Sequence, residues 1–126
     1  NILVSAFIFK SETMNNLINY LTTNHEILIC SYTIDELKYL INNKFNVDEK
    51  VLDEFLSSFS FNLVYSPQSV EKKLFEIRDN DDYLILHTAI IEKADVFITG
   101  DKGFNDVKIE KPEIMSVNEF MKKYNN

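Results

Sequence analysis

Val96-Phe97-Ile98-Thr99-Gly100-Asp101-Lys102 is a short apolar run that stops at a glycine and is followed at once by an acid. Apolar residues in a run of this length read as a strand buried on both faces. Gly100 permits a tight turn where the strand ends. That turn places Asp101 at the rim of a sheet. An ordinary Gly-Asp turn accounts for the same residues, so the meaning of the segment depends on what surrounds it.

Immediately upstream, Arg78-Asp79-Asn80-Asp81-Asp82 opens a helix that reaches about Lys93, since acidic residues suit a helix N-terminus. Before it come a strand over residues 61–65, ended by Ser66-Pro67, and a short helix over about 70–77. Residues 48–58 read as a helix whose stripe Val51, Leu52, Phe55, Leu56 and Phe59 follows i, i+3, i+4 spacing. That stripe is core, with a homodimer contact as the alternative for part of Phe55/Phe59. Ser31 is a good N-cap for a helix to about Asn43, with Ile34, Leu37, Leu40 and Ile41 inward. Further back lie a strand over 26–30, a helix over about 13–23 (Met14, Leu17, Ile18 and Leu21 on one face), and the run Ile2-Leu3-Val4, which reads as a strand. Downstream, Glu113 to Met115 makes a short strand. Ser116 and Glu119 form a capping box for a last helix to about Tyr124. This alternation predicts an α/β three-layer sandwich, with a central parallel sheet of four to five strands flanked by helices, in one domain over residues 1–126. Such folds bind ligands at the C-terminal ends of their strands.

The chain has 126 residues, enough to bury a core, and is 45% hydrophobic. No apolar run is long enough to span a membrane. Cys30 is the only cysteine, which fits a reducing cytoplasm. A net charge of −7 argues against a broad basic face that coats nucleic acid, and is compatible with carboxylates that bind cations. Asn1 already stands in a strand-like run, so a few residues are expected upstream of it.

Three acids fall just after strands or in the first turns of neighbouring helices: Glu36, Asp82 and Asp101. At about 100° per residue, Asp35 points away from the apolar stripe of its helix and Glu36 lies nearer the stripe's flank. Two solvated helix charges explain that pair equally. Asp79, Asp81 and Asp82 crowd one helix start. Capping needs only one acid, and three repel one another, so a second use is open. Two carboxylates about 4 Å apart repel by about 4 kcal/mol at an effective dielectric near 20. Gathered in one cleft, such acids call for protonation or a cation. Hard oxygen donors favour Mg²⁺ or Mn²⁺, which polarise phosphodiesters.

With these segments the chain resembles the PIN-domain ribonucleases, especially the bacterial toxins of toxin–antitoxin systems and the related VapC-type toxins. The family commonly begins Asp-x-Asn, then an apolar strand ending Ser-Ala; Asn1-Ile2-Leu3-Val4-Ser5-Ala6 matches from the Asn onward. Glu36-Leu37, Arg78 to Asp82 and Thr99 to Lys102 match the later acidic segments in order and spacing. The resemblance implies Mg²⁺- or Mn²⁺-dependent cleavage of single-stranded RNA, with Glu36, Asp82 and Asp101 catalytic and holding metal. It further implies Asp79 as an outer ligand, Thr99 positioning Asp101, Lys102 beside the site, Asn1 orienting it, and an antitoxin protein as partner. The family's first acid would lie two residues before Asn1. A chain that has lost it would be a non-catalytic PIN-like module that binds RNA or protein, which is the alternative reading. A net acidic toxin is also unusual beside an acidic antitoxin.

Other chemistry is less well supported. His25 and His87 as a metal-free acid–base pair fail on placement, His25 being in a loop away from the predicted rim and His87 roughly 140° around its helix from Asp82. Cys30 reads as a small core residue. Lys10 and Lys38 read as surface lysines, and Lys102 is the best phosphate contact among them. A phospho-receiver would need an Asp at the end of the third strand, where Val64-Tyr65-Ser66-Pro67 stands instead.

Overall fold

Residues 2–70 and 72–125 are described in the computed structural model, and the chain is divided into two units between Leu63 and Val64. The first unit opens with α1 (Ile2–Phe7) and α2 (Glu12–Asn24). The run Ile2-Leu3-Val4, expected as a strand, is the start of a helix. Leu3 and Ala6, three residues apart, are its buried face. A short apolar run fits either element by periodicity, and here burial on a helical stripe decided it. Asn15 of α2 secures the end of α1 by donating to the carbonyls of Ala6 (3.0 Å) and Ser11 (2.9 Å). Ser11 in turn caps α2, its Oγ accepting from the Met14 amide. Asn1 lies outside the described residues.

β1 (Leu28–Cys30) runs straight into α3 (Ser31–Leu40). With no loop between them, extended Cys30 takes the cap position and Ser31, expected there, is the first helical residue. Ile34 and Leu37 are buried. The helix then widens into a π turn over Ile41–Phe45, closed by Asn46 in the left-handed region at φ 50°, a conformation asparagine tolerates well. Asp48 caps α4 (Glu49–Ser57), and Leu52 is fully buried. Phe55 packs against Phe7 (ring centroids 5.0 Å apart) and against Phe59 (5.5 Å); with Leu56 these rings are half-buried against the core, whereas Val51, expected to face it, is exposed. β2 (Asn62–Val64) lies beside β1, with the Asn62 amide donating to the Ile27 carbonyl.

In the second unit the described residues of 65–79 form no regular element, although a short helix was expected over 70–77. That segment is held by side-chain burial instead: Phe75 stacks on Tyr83 at 4.5 Å, and the Leu74 amide donates to the Tyr83 hydroxyl at 2.9 Å. Then follow α5 (Asn80–Ile91), β3 (Val96–Ile98), a 3₁₀ turn (Lys102–Phe104), β4 (Glu113–Met115) and α6 (Val117–Tyr124). β3 and β4 are parallel, pairing Val96 with Glu113 and Ile98 with Met115. The described strands, three residues each, form two two-stranded sheets, and the central sheet of four to five strands is not seen among them. Among the described residues no helix is long and apolar enough to cross a membrane.

The Ser116–Glu119 capping box is present as read from sequence: the Ser116 Oγ accepts from the Glu119 amide (3.1 Å) and Glu119 Oε1 from the Ser116 amide (3.0 Å). That amide holds the Glu119 carboxyl below its ordinary value of 4.5. A carboxylate whose pKa falls on folding adds stability above its unfolded value and loses it as pH drops through the folded one. Ser116→Ala removes the hydroxyl that accepts from the Glu119 amide, and loss of that cap should destabilise the fold by about 1 kcal/mol in urea titration at neutral pH. Glu119→Gln, which keeps an acceptor but cannot titrate, should show a shallower loss of stability than wild type below the ordinary carboxylate range.

Candidate functional site

β3 stops at Ile98, and its C-terminal end carries Thr99, Gly100 and Asp101. The turn is built by a side chain. The Asp101 amide donates to Thr99 Oγ1 at 3.1 Å, while Gly100 has neither a left-handed φ nor any atom within 4 Å of where a Cβ would stand. The expectation that Gly100 makes the turn is thus corrected: the Thr99 hydroxyl does so, and glycine is not required there. Asp101 then caps the 3₁₀ turn, its Oδ1 accepting from the Gly103 amide at 2.8 Å.

Asp82 arrives from α5. The N-cap of that helix is Asp79, whose Oδ1 accepts from the amides of Asp81 (2.8 Å) and Asp82 (3.3 Å). One acid of the crowded segment therefore does the capping, and that acid is Asp79. Asp81 is exposed and Asp82 is half-buried. Both carry negative charge in the first turn, where the helix dipole favours it.

The next residue in each segment explains how Asp82 and Asp101 come together. Tyr83 follows Asp82, and Phe104 follows Gly103. Both rings are buried in one apolar cluster with Phe75 and Leu86, with Phe97 of β3 against Phe104 at 5.0 Å. Burying the two rings brings the helix start and the 3₁₀ turn side by side. A Cβ built on Gly103 would lie 3.2 Å from Asp101 Oδ1 and 3.6 Å from Asp82 Oδ2, so the two carboxylates face the same small gap above that glycine. Gly103 is the residue the sequence reading missed. The signal lay in its place two residues past an acid at a strand end, but nothing in the sequence distinguished it from Gly100.

The remaining expected site residues are placed as follows. Glu36 is on α3 in the first unit and is exposed, as is Asp35, so burial does not separate them. Lys102 is exposed on the 3₁₀ turn beside Asp101. Lys38 stands 3.7 Å from Glu49, and Lys10 is exposed with a left-handed backbone. His87 Nδ1 lies 3.2 Å from the Tyr83 hydroxyl, as a half-buried helix residue, and the His25 ring packs against Tyr20. Cys30 is buried in the core. Asp82 and Asp101 are a pair; among the described residues no group of three or more His, Cys, Asp or Glu is gathered closely enough to hold a metal ion. The pair supplies only oxygen donors, and that donor set suits a hard divalent cation.

Residues 1–103 match the model of the PIN domain, and the chain belongs to the PIN-domain family. Its structure is similar to a chain in the crystal structure of VapBC2 from Rickettsia felis bound to a DNA fragment from their promoter. The TM-score is 0.68 at 26% identity, over 91% of this chain and 92% of that one. No curated protein matches the sequence.

Asp79 as cap carries a test. Asp79→Ala should cost about 1 kcal/mol in chemical denaturation, and Asp79→Ser should recover most of it. An equal loss in both variants would show that the carboxylate is needed for something other than capping.

Proposed function

We propose that this chain is a metal-dependent endoribonuclease that hydrolyses phosphodiester bonds of single-stranded RNA, and that it is the toxin of a toxin–antitoxin pair. The observation that carries the reading is the convergence of Asp82 and Asp101 above Gly103, at the end of a parallel strand, in a chain of the PIN-domain family. The likeness to a chain of the VapBC2 structure supports the toxin–antitoxin part and an antitoxin protein as partner. In this reading the protein acts as one PIN-like domain in the cytoplasm.

Asp82 and Asp101 would hold Mg²⁺ or Mn²⁺. Glu36 is assigned as the third acid from the sequence, on the strength of its Glu-Leu pair in the helix after β1. When bound, the cation neutralises the phosphodiester and makes water nucleophilic near neutral pH. The chain's own groups do the rest. The Thr99 hydroxyl and the Gly103 amide fix Asp101 from two sides. Asp79 holds the first turn of α5, and through it Asp82; as the family's outer ligand it would assist the cation. Lys102, exposed next to Asp101, attracts the phosphate backbone of the RNA.

The protein should cleave single-stranded RNA with Mn²⁺ or Mg²⁺, and EDTA should stop it. Asp82→Asn, Asp101→Asn and Glu36→Gln should each lower the single-turnover rate by roughly 100-fold or more, the scale of losing a group that stabilises transition-state charge. Wild-type rates in the two Asp variants would refute the site. RNA binding without cleavage by the wild-type protein would favour the non-catalytic module instead.

A further inference from the structure

Thr99, Lys102 and the acids bring side-chain chemistry to the site; Gly103 brings the absence of a side chain. We infer that Gly103 is a positioning residue for the cation, keeping the space between Asp82 and Asp101 open and setting the direction of the Asp101 carboxylate. The inference rests on the proposed metal-dependent activity and adds to it a residue that brings no donor side chain.

Three observations carry it. First, a Cβ at position 103 would stand against both acids at once, 3.2 Å from Asp101 Oδ1 and 3.6 Å from Asp82 Oδ2. The first of these is tighter than ordinary van der Waals contact, so even a methyl group pushes the carboxylate aside. A larger side chain fills the gap that an ion would occupy. Second, the Gly103 amide donates to that same Oδ1 at 2.8 Å. The hydrogen bond holds that oxygen beside position 103, so a side chain added there meets the carboxylate directly. Third, the turn cannot relax freely, because Phe104, the next residue, is buried in the core with Tyr83 and Leu86. Gly103 is therefore anchored on one side by a buried ring, and the Asp101 carboxylate is the neighbour that must give. Its φ is not left-handed, so alanine or valine meets no backbone penalty of the kind glycine usually avoids. The consequence of substitution falls on the carboxylates rather than on the fold. Divalent cations of the Mg²⁺ class demand near-ideal oxygen geometry, and sites of this kind need their ligands held within about 0.5 Å.

The test is Mn²⁺ affinity, read by calorimetry or by the EPR signal of free Mn²⁺, on the full chain without RNA. Asp101→Asn serves as the reference, and Gly103→Ala and Gly103→Val as a graded series, each with its thermal midpoint. The expected result is a fall in affinity of several-fold for Gly103→Ala, and of roughly tenfold or more for Gly103→Val. Gly103→Ala should keep a thermal midpoint near that of wild type. If Gly103→Val proves unfolded, the alanine variant alone decides. Wild-type affinity in the folded glycine variants, with a loss in Asp101→Asn, would overturn the role of Gly103 and leave the metal site standing. Wild-type affinity in Asp101→Asn, or no binding by the wild type, would overturn the metal site itself and the inference with it.

Discussion

The candidate site depends on the burial of two aromatic rings. Tyr83 and Phe104 belong to segments about twenty residues apart in sequence, and each stands one residue after a position that matters chemically. Removing each ring from water contributes roughly 1.5–3 kcal/mol. That gain is what holds Asp82 and Asp101 over one gap against their mutual repulsion. Leu86 beneath and Phe97 beside them make the cluster continuous with α5 and β3, so the helix start and the strand end move as parts of one packed core. The irregular stretch before α5 is tied to the same point, through Phe75 against the Tyr83 ring and the Leu74 amide on its hydroxyl.

The acids around this core divide their tasks by geometry. Asp79 is turned back onto the amides of its own helix, where capping satisfies donors that the helix cannot. Asp82, three residues on, is at the gap instead. Asp101 does both: it caps the 3₁₀ turn with the oxygen that also faces Gly103. A carboxylate held by a backbone amide on one side and by a hydroxyl-anchored backbone on the other has little freedom left, which is the preorganisation a cation site needs.

Much of this was legible in the residues alone. The order of helices and strands from α2 onward (apart from the short helix over 70–77), the capping box at Ser116 and the strand over Val96–Ile98 follow from periodicity and capping chemistry, which are local. Asp82 and Asp101 stood out as candidates because an acid after a strand and an acid opening a helix are local features too. What failed also failed for a local reason. Ile2-Leu3-Val4 is too short for periodicity to choose between strand and helix. The segment over residues 70–77 has apolar residues near helical spacing, yet they serve as anchors into a core formed by distant residues. Glu36 and Asp35 are both exposed, so the stripe argument that preferred Glu36 finds no support in burial.

The sequence by itself pointed to the family, to the alternation of helices and strands and to Asp82 and Asp101 as candidates, because each is written in residue type and in spacing along the chain. Only the tertiary structure decided which of those acids face one another, that Thr99 rather than Gly100 builds the turn before Asp101, and that Gly103 is the glycine whose missing side chain matters. The physical reason is the same in each case. A hydrogen bond or a steric gap between residues far apart in sequence exists only once the rings of Tyr83 and Phe104 have been buried together.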